Sequence, residues 1–209
     1  MFTGIVQAMG RITEVAKGPS AARLVIDPGA LPIDDAAIGD SIAVGGCCLT
    51  VVAIEGPAQA RRLAFDVSAE TLACTAGLDR PGAVNLEMAL RLSDRLGGHL
   101  MTGHVDGVGT VVEFAPVEGA AAGAQPDERS WRLVVEAPPP LARFIATKGS
   151  IAVQGVSLTV NRVDGARFEV NLIPHTLAVT TLGALAAGAR VNLEVDLVAR
   201  YVERLNSTS

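Results

Sequence analysis

The sequence predicts an all-β protein, made of two tandem homologous six-stranded antiparallel barrels of the Greek-key type and a short C-terminal α-helix. Two observations lead to this prediction. One eleven-residue stretch occurs twice, as SIAVGGCCLTV over residues 41–51 and as SIAVQGVSLTV over residues 150–160. Short runs of Val, Ile, Leu and Thr, punctuated by Gly, Pro and Asp, recur through both halves, which is typical of short strands joined by turns.

Three further pairs of blocks accompany the repeated stretch in the same order. FTGIV at 2–6 matches MTGHV at 101–105, FDVSAETL at 65–72 matches VNLIPHTL at 170–177, and AVNLEMAL at 83–90 matches RVNLEVDL at 190–197. This period is far longer than those of solenoid repeats, so each copy is expected to have its own core. We therefore expect one barrel over residues 1–99 and a second over residues 100–195.

Six strands are predicted in each half. They cover residues 11–15, 22–26, 41–44, 49–54, 63–67 and 84–90, and then 109–114, 131–136, 150–153, 158–163, 167–172 and 190–195. Closing such strands into a barrel removes exposed sheet edges. The segment 116–129 is rich in Ala, Gly, Pro and charge, has no counterpart of equal length in the first half, and is predicted to be an exposed loop.

The last segment, residues 196–209, has a different periodicity. Its apolar residues recur at helical spacing, whereas Arg200, Glu203 and Arg204 are expected to face away from them. The apolar set is Leu197, Val198, Tyr201, Val202 and Leu205. A helix of this length is marginal in water by itself, so the apolar stripe must pack against something.

Composition excludes several classes of protein. The 209 residues are 49% hydrophobic and carry a net charge of −5, so nothing provides the basic surface that nucleic acids require. The N-terminus lacks the features of a signal peptide and no apolar run approaches a membrane-spanning length, so we expect a cytoplasmic protein without membrane contact. Three cysteines, two of them adjacent, favour neither a disulfide framework nor a zinc site.

Cys48 is the first candidate for chemistry, because it aligns with Ser157 in the second copy. A nucleophile or hydrogen-bond donor is thus present in both copies, although a small buried hydrophobe is the alternative for any single Cys. Cys47 aligns with Val156 and is expected to lie in the core. Thr50 and Thr159 follow two residues after the candidates, so strand alternation places them on the same face.

Histidines and further polar pairs provide other candidates. His99 and His104 lie in the glycine-rich stretch GGHLMTGHVDG, and no third ligand cluster accompanies them, which favours hydrogen bonding or proton transfer over metal binding. His175 aligns with Glu70, and a Thr follows each of them. From the residues alone, the prediction is a duplicated barrel with a repeated site for a polar small molecule.

A series of motifs runs from the first residue nearly to the last: MFTGIV, GDSIAV, GCCLTV, ETL, VNLE, GGHLMTGHVDG, KGSIAV, GVSLTV, LIPHTL, VNLEVDL and ARYVERL. At these spacings the chain resembles the riboflavin synthases of the alpha, duplicated-barrel type. The resemblance implies a transferase that takes two molecules of 6,7-dimethyl-8-ribityllumazine and moves a four-carbon unit from one to the other. The products are riboflavin and 5-amino-6-(D-ribitylamino)uracil, and neither a cofactor nor a metal is implied.

The resemblance also implies a homotrimer, in which the N-terminal barrel of one subunit and the C-terminal barrel of a neighbour form each site around two lumazines. Association with lumazine synthase is left open. The C-terminal helix is then expected to hold the trimer together. The residues expected to line the N-barrel site are Phe2, Gly4, Ile5, Val6, Cys48, Leu49, Thr50, Asp66, Val67, Ser68, Ala69, Glu70 and Thr71. Those expected at the C-barrel site are Gly103, His104, Val105, Lys148, Ser157, Leu158, Thr159, Asn171, Leu172, Ile173, Pro174, His175, Thr176 and Asp196.

The catalytic group expected from the resemblance consists of Cys48, Ser41, Thr50, His104 and Ser157. Cys48, Ser41 or an ordered water would supply or support a nucleophile at C7 of one lumazine, and His104 would transfer the proton that leaves the 7-methyl group of the other. Holding the two rings face to face is expected to supply a larger share of the rate.

Two positions depart from the family pattern. Gly45 stands where many relatives have Asn, and Gln154 where they often have Asp, which is expected to change the relative affinities of the two sites. Two other functions are alternatives. A non-catalytic lumazine- or flavin-binding protein of the same fold would need only one good site, whereas a flavin-dependent reductase would need a nicotinamide domain with a G-x-G-x-x-G motif, and the sequence has none.

Overall fold

The computed structural model describes residues 1–57, 60–117 and 129–207, and these form two closed antiparallel barrels. The first barrel contains β1 (Ala8–Lys17), β2 (Ala21–Asp27), β3 (Ser41–Val44), β4 (Cys47–Glu55), β5 (Arg62–Ser68) and β6 (Gly82–Met88). The second contains β7 (Gly107–Pro116), β8 (Trp131–Glu136), β9 (Ser150–Val153), β10 (Val156–Asp164), β11 (Arg167–Leu172) and β12 (Arg190–Val195).

Both barrels have the same strand order. The first closes as β1-β2-β5-β4-β3-β6 and the second as β7-β8-β11-β10-β9-β12. Because β2 lies beside β5 and not beside β3, the connection is of the Greek-key kind. The predicted fold class is confirmed, and the predicted strands differ from the observed ones mainly at their ends.

The described residues also contain three short α-helices, α1 (Ala69–Cys74), α2 (Pro174–Val179) and α3 (Leu197–Asn206), and 3-10 helices over Pro139–Phe144 and Thr181–Ala184. The terminal helix was predicted, and residues 208–209 of its expected span lie outside the described residues. The equivalent helices α1 and α2 were not predicted, because six residues are too few for a helical period to emerge. The loop expected at 116–129 lies mostly at 118–128, outside the described residues. No helix in the described part of the chain has the length and apolarity needed to span a membrane.

Each barrel has a core of alternating inward-facing side chains. Ile12, Leu24 and Phe65 are fully buried in the first barrel, and their counterparts in the second are Val111, Leu133 and Val170. Four register shifts lie at equivalent places, in β1 and β4 and again in β7 and β10. Such bulges bend the strands, which helps a six-stranded sheet close on itself.

The two barrels meet at a third, smaller apolar cluster formed by Phe2, Ala43, Met101 and Ala152. Phe2 and Met101 form an antiparallel bridge, in which Phe2 N–H donates to the Met101 carbonyl at 2.9 Å and Met101 N–H donates to the Phe2 carbonyl at 3.0 Å. The repeated SIAV sequence is explained by this contact. Its Ile and Val enter the barrel interior, while its Ala faces the other barrel, where only a small side chain fits.

The turns that follow the two SIAV strands also pack against each other. Gly45 and Gly46 have φ of +56° and +83°, and Gln154 and Gly155 have φ of +51° and +77°. A two-residue hairpin with positive φ at both positions is a type I′ turn, which Gly and Asn favour. A Cβ on Gly46 would lie 2.7 Å from the Gly155 nitrogen, so the contact leaves no room for a side chain there.

Buried asparagines tie each turn to the opposite barrel. Asn192 Nδ2 donates to the Gly45 carbonyl at 2.9 Å, and Asn85 Nδ2 donates to the Gln154 carbonyl at 2.9 Å. Gly45 and Gln154 therefore lie at the contact between barrels. The positive φ of both residues is a backbone requirement of the turn, and their expected influence on the relative affinities of the two sites stays a prediction.

Helix α3 packs on the second barrel through its charged side. Arg200 forms an ion pair with Asp106, and Glu203 accepts from Arg143 Nη1 at 2.7 Å. Arg200 and Glu203 face away from the apolar stripe, as expected, and it is their side of the helix that meets the barrel. The apolar side is the one left exposed: Val198 is 65%, Tyr201 66% and Leu205 73% accessible.

Candidate functional site

The segments that carry the FTGIV and MTGHV motifs each cross to the other barrel. Cys48 N–H, on β4 of the first barrel, donates to the Gly103 carbonyl at 2.8 Å, and Ser157 N–H, on β10 of the second barrel, donates to the Gly4 carbonyl at 2.8 Å. Gly4 and Gly103 have φ of +76° and +77°. A Cβ on Gly103 would lie 2.6 Å from Cys48 Cβ, and one on Gly4 would lie 2.5 Å from Ser157 Cβ. Only glycine satisfies both the close approach and the positive φ.

A buried carboxylate fixes each crossing segment. Glu87 on β6 accepts from the N–H and the hydroxyl of Thr3, both at 2.7 Å, and from Gly4 N–H at 3.0 Å. Glu194 on β12 accepts from the N–H and the hydroxyl of Thr102, at 2.6 and 2.7 Å, and from Gly103 N–H at 3.0 Å. Burial raises the pKa of Glu87, and the hydrogen bonds from Thr3 and Gly4 oppose that shift. Sequence reasoning missed both carboxylates, although the repeated VNLE motif contained them.

The crossing corrects the expected grouping of the site residues. Residues 4–6 were placed with Cys48 and residues 103–105 with Ser157, whereas the structure exchanges the two segments. Val105 packs against the core of the first barrel, and Val6 against the core of the second. The prediction assumed that each half of the sequence builds its own site, and sequence alone gives no sign of the exchange.

The first site is a shallow cleft of about 220 Å³ between β4, α1 and the second crossing segment. Its lining residues are Cys47, Cys48, Glu70, Thr71, Cys74, Thr75, Gly103, His104 and Val105. Cys48 is half-buried at its wall, while Cys47 is only 6% exposed and belongs to the barrel core, as predicted. Burial, reinforced by Cys48 and Glu194, raises the pKa of the Cys47 thiol to about 12, so it remains protonated at neutral pH.

The start of α1 is braced by its own side chains. Ser68 Oγ accepts from Thr71 N–H at 3.1 Å and caps the helix, and Ala69 is the first helical residue. Cys74 Sγ donates to Glu70 Oε1 at 3.4 Å, and this hydrogen bond raises the pKa of the thiol. Cys74 was not predicted to lie in the cleft, because its position only becomes apparent once α1 is seen to fold over β4.

Four other expected residues lie on the rims of the barrels. Ser41 pairs with Thr50 across β3 and β4, so both side chains point outward on the same face as Cys48. Asp66 is exposed and accepts from Arg23 Nε and Nη2 at 2.8 and 2.9 Å, which lowers the pKa of its carboxyl. Lys148 is exposed and has a φ of +66°, in the left-handed region that side chains other than Gly rarely adopt.

The second site surrounds Ser157 on β10. Ile5 of the first crossing segment is exposed there, and Thr159 is exposed on the same face of the strand as Ser157. His99 Nδ1 lies 2.7 Å from Ser157 Oγ, although only His104 of the two neighbouring histidines was expected in a site. Asn171 lies farther along, in a cleft of about 460 Å³ with Asn161 and Glu169. Ile173 and His175 are exposed and Pro174 and Thr176 half-buried at the start of α2.

Several expected ligand contacts are wrong for the side chains, because strand alternation turns them inward. Phe2 is fully buried between the barrels, and the other four side chains lie in barrel cores with 9% exposure or less: Leu49, Val67, Leu158 and Leu172. The resemblance implies continuous ranges, whereas only every second strand residue faces outward.

Asp196 caps α3, since its Oδ1 accepts from Val198 N–H at 2.9 Å. Within the described residues, no three His, Cys, Asp or Glu side chains gather as a metal site would require.

Comparison with known protein families matches both halves of the chain. The model of the lumazine binding domain matches residues 3–89 and residues 102–196. The two matches correspond to the two barrels with their crossing segments.

Curated relatives are similar over nearly the whole chain. A riboflavin synthase of Mycobacterium tuberculosis (strain H37Rv) is 48% identical over 211 residues, which is 98% of this chain and 98% of the relative. A riboflavin synthase of Photobacterium phosphoreum is 40% identical, over 98% of this chain and 88% of the relative. The riboflavin synthase of Escherichia coli (strain K12) is 38% identical, over 94% of this chain and 87% of the relative.

Solved structures with the same architecture include LumP complexed with riboflavin, which has a TM-score of 0.79 and 28% identity over 93% of this chain and 99% of LumP. LumP complexed with 6,7-dimethyl-8-(1'-D-ribityl) lumazine gives a TM-score of 0.76 and 26% identity over the same shares. Barrels of this type thus hold a ribityl-substituted ring system in a protein of similar fold.

Proposed function

This chain belongs to the riboflavin synthase family and is built from two lumazine binding domains, and on that basis we propose that it is itself a riboflavin synthase. In the proposed reaction, one 6,7-dimethyl-8-ribityllumazine transfers a four-carbon unit to a second. The products are riboflavin and 5-amino-6-(D-ribitylamino)uracil.

The observation that carries the proposal is the pair of equivalent sites created by the crossing segments. Cys48 and Ser157 occupy the same place on β4 and β10, and each is covered by a Gly-x-Val segment from the other half. A reaction between two molecules of one substrate needs two similar binding places with different reactive groups. A thiol at one place and a hydroxyl at the other meet that need.

The roles within the sites follow from chemistry and position. Cys48 is half-buried at the wall of the first cleft, and His104 is an exposed imidazole in the same cleft. Cys48, the outward-facing Ser41 or a water held by them acts as the nucleophile or supports it, and His104 transfers the proton from the 7-methyl group. Thr50, Thr159 and the residues at the starts of α1 and α2 bind the lumazines.

The complete active site forms between subunits of a homotrimer. The first cleft, at about 220 Å³, is below the usual size of a pocket for a small organic ligand, so a second surface must close it. The exposed apolar side of α3 supplies an assembly surface on each chain. The division expected from the sequence fits this scheme, with barrels over residues 1–99 and 100–195 and a trimerisation segment over 196–209. A cytoplasmic location is part of the proposal, and association with lumazine synthase is left open.

The decisive experiment is incubation of the purified protein with 6,7-dimethyl-8-ribityllumazine alone, with riboflavin measured by its absorbance and fluorescence. Riboflavin is expected to form without added flavin, nicotinamide or metal, and with EDTA present. Equimolar formation of the aminouracil, measured by chromatography, confirms four-carbon transfer. If lumazine binds tightly but no riboflavin accumulates, the chain is a lumazine- or flavin-binding protein without turnover.

A further inference from the structure

The hydroxyl of Ser157 has a buried partner for which the Cys48 thiol has no equivalent. His99 Nδ1 lies 2.7 Å from Ser157 Oγ, and the residue is only 8% exposed. Within residues 1–57, 60–117 and 129–207, no hydrogen bond links the Cys48 thiol to an imidazole. The two sites therefore differ in more than the exchange of sulfur for oxygen.

The position of His99 is fixed by its surroundings. Its backbone N–H donates to the Thr3 carbonyl at 3.1 Å, and Thr3 is itself held by the buried Glu87. The preceding residue is Gly98, where a Cβ would lie 2.1 Å from the Thr3 carbonyl oxygen and 2.9 Å from Ser157 Oγ. The chain thus approaches Ser157 as closely as a backbone can, and this places the imidazole against the hydroxyl.

The protonation of the ring follows from its burial. Burial lowers the pKa of His99, against the opposing charges of Asp196 and Glu194, so the ring is neutral at neutral pH. A neutral imidazole carries one N–H, and Nε2 is buried with no hydrogen-bond partner among the described residues. A buried N–H without a partner is rarer and more costly than a bare acceptor, so the proton belongs on Nδ1.

This tautomer sets the direction of the hydrogen bond. With the proton on Nδ1, His99 donates to Ser157 Oγ, and the hydroxyl hydrogen of Ser157 is directed elsewhere. We propose that His99 is a positioning residue that holds the Ser157 hydroxyl as a hydrogen-bond donor toward an acceptor atom, a carbonyl oxygen or ring nitrogen, of the lumazine in the second site. The proposal rests on the proposed function for the identity of that ligand.

The first test is the tautomer itself, measured in the folded protein by ¹⁵N–¹H correlation spectra of the three histidine rings, with His99 assigned from its loss in His99→Asn. Free imidazole favours the proton on Nε2, so a His99 signal of the Nδ1–H form would be specific to this site. The Nε2–H form in the wild-type protein would overturn the proposal, whatever the activity.

The second test is a double-mutant cycle between His99→Leu and Ser157→Ala, with each variant first shown to be folded by circular dichroism and thermal unfolding. Riboflavin binding, followed by quenching of its fluorescence, and turnover of lumazine are both measured. Each single variant is expected to lose about tenfold in both measurements, the equivalent of one hydrogen bond to the ligand. The double variant is expected to lose no more than Ser157→Ala alone. The side-chain amide of Asn can replace the Nδ1–H donor, so His99→Asn should keep most of the riboflavin binding that His99→Leu loses.

Two outcomes separate the two proposals. Losses that multiply in the double variant would mean that His99 does not act through Ser157, and would overturn this inference. Arg95→Ala, an exposed change on the same linker, serves as the matched control and should behave as the wild type. If no variant and no wild-type protein forms riboflavin, the proposed function fails, while the tautomer and the binding cycle still decide the role of His99.

Discussion

Cys48 and Gly103 come from different halves of the chain, yet the N–H of the first donates to the carbonyl of the second at 2.8 Å. The equivalent bond joins Ser157 to Gly4. Each barrel therefore supplies the strand of one site and the covering segment of the other. This exchange makes the two sites depend on each other, although their reactive groups differ.

Replacing Cys48 by Ala should lower turnover by at least tenfold, an activation cost of about 1.4 kcal/mol, because the thiol lines the first cleft beside His104. The matched control is Cys47→Ala. It removes a core sulfur and should cost about 1 kcal/mol of unfolding free energy with little change in turnover. Steady-state rates and urea unfolding of both variants check this. Equal kinetic losses at equal folded fraction would contradict the division of roles.

Glu194→Gln and Glu87→Gln should each impair a different site. The amide oxygen of a glutamine can still accept both hydrogen bonds from the threonine, but its NH₂ group repels the N–H of Gly103 or Gly4, so the crossing segment loosens at a cost of about 1–3 kcal/mol. Glu194 holds the segment that covers Cys48, and Glu87 holds the one that covers Ser157. Titration with riboflavin should resolve two classes of binding site. Glu194→Gln should weaken binding at the Cys48 site, and Glu87→Gln should weaken binding at the Ser157 site. Weakening of the same class in both variants would contradict the exchange.

The sequence predicted the barrels, their strands and the terminal helix because repeated blocks and short apolar runs are local signals. It also predicted that Cys47 is a core residue, from its alignment with Val156. It did not predict the crossing of residues 2–6 and 101–105, because segment exchange leaves the order of motifs unchanged. It did not predict the inward orientation of Leu49 and Leu158, because the resemblance implies continuous ranges of site residues, whereas alternate residues of a strand face inward.

Replacing Gln154 by Asn should stabilise the protein. Gln154 has a φ of +51°, and Asn tolerates the left-handed region better than Gln, so a gain of roughly 0.5–1 kcal/mol is expected. Gln154→Val, with a β-branched side chain, should instead destabilise by more than 1 kcal/mol, on the scale of about 1–3 kcal/mol for backbone strain. Urea unfolding measures both effects. Because the turn lies between the barrels, turnover per folded molecule should be the same in Gln154→Asn as in the wild type.

Acidification should destabilise the wild-type protein more than His99→Asn. The pKa of His99 is lowered below its ordinary value of 6.5, so the unfolded chain binds more protons than the folded one as the pH falls through 6.5. The contribution of neutral His99 to the free energy of unfolding is complete above pH 6.5. Below pH 6.5 it is lost, by at most about 1.4 kcal/mol per pH unit. The negative charges of Asp196 and Glu194 raise the pKa of His99 and so reduce this pH dependence. Glu87 is present in both proteins, so its contribution cancels when the two are compared. Urea unfolding at pH 7 and at pH 5.5 measures the effect. If the wild type and His99→Asn lose the same free energy of unfolding between these pH values, His99 is not a buried neutral residue.

Helix α3 provides the last prediction, because its charged side packs on the barrel and its apolar side is exposed. Arg200 and Glu203 anchor it to its own barrel through ion pairs, so the helix should remain folded when its outer side is altered. That outer side exposes Tyr201 and Leu205 at 66% and 73%. Burial of each in an assembly is worth about 1.5–3 kcal/mol before entropy costs.

The double variant Tyr201→Glu/Leu205→Glu should therefore sediment as a folded monomer with intact single-ligand binding but little turnover, because the N-terminal barrel of one chain then no longer meets the C-terminal barrel of another. Its turnover should recover partly as protein concentration rises, by mass action on assembly. Ile38→Glu is the matched control, since Ile38 is 69% exposed in the connection between β2 and β3 of the first barrel. It should remain a trimer with wild-type turnover. A double variant that sediments as a monomer at high dilution and keeps full turnover would place both lumazines within one chain, and the intersubunit site would have to be abandoned.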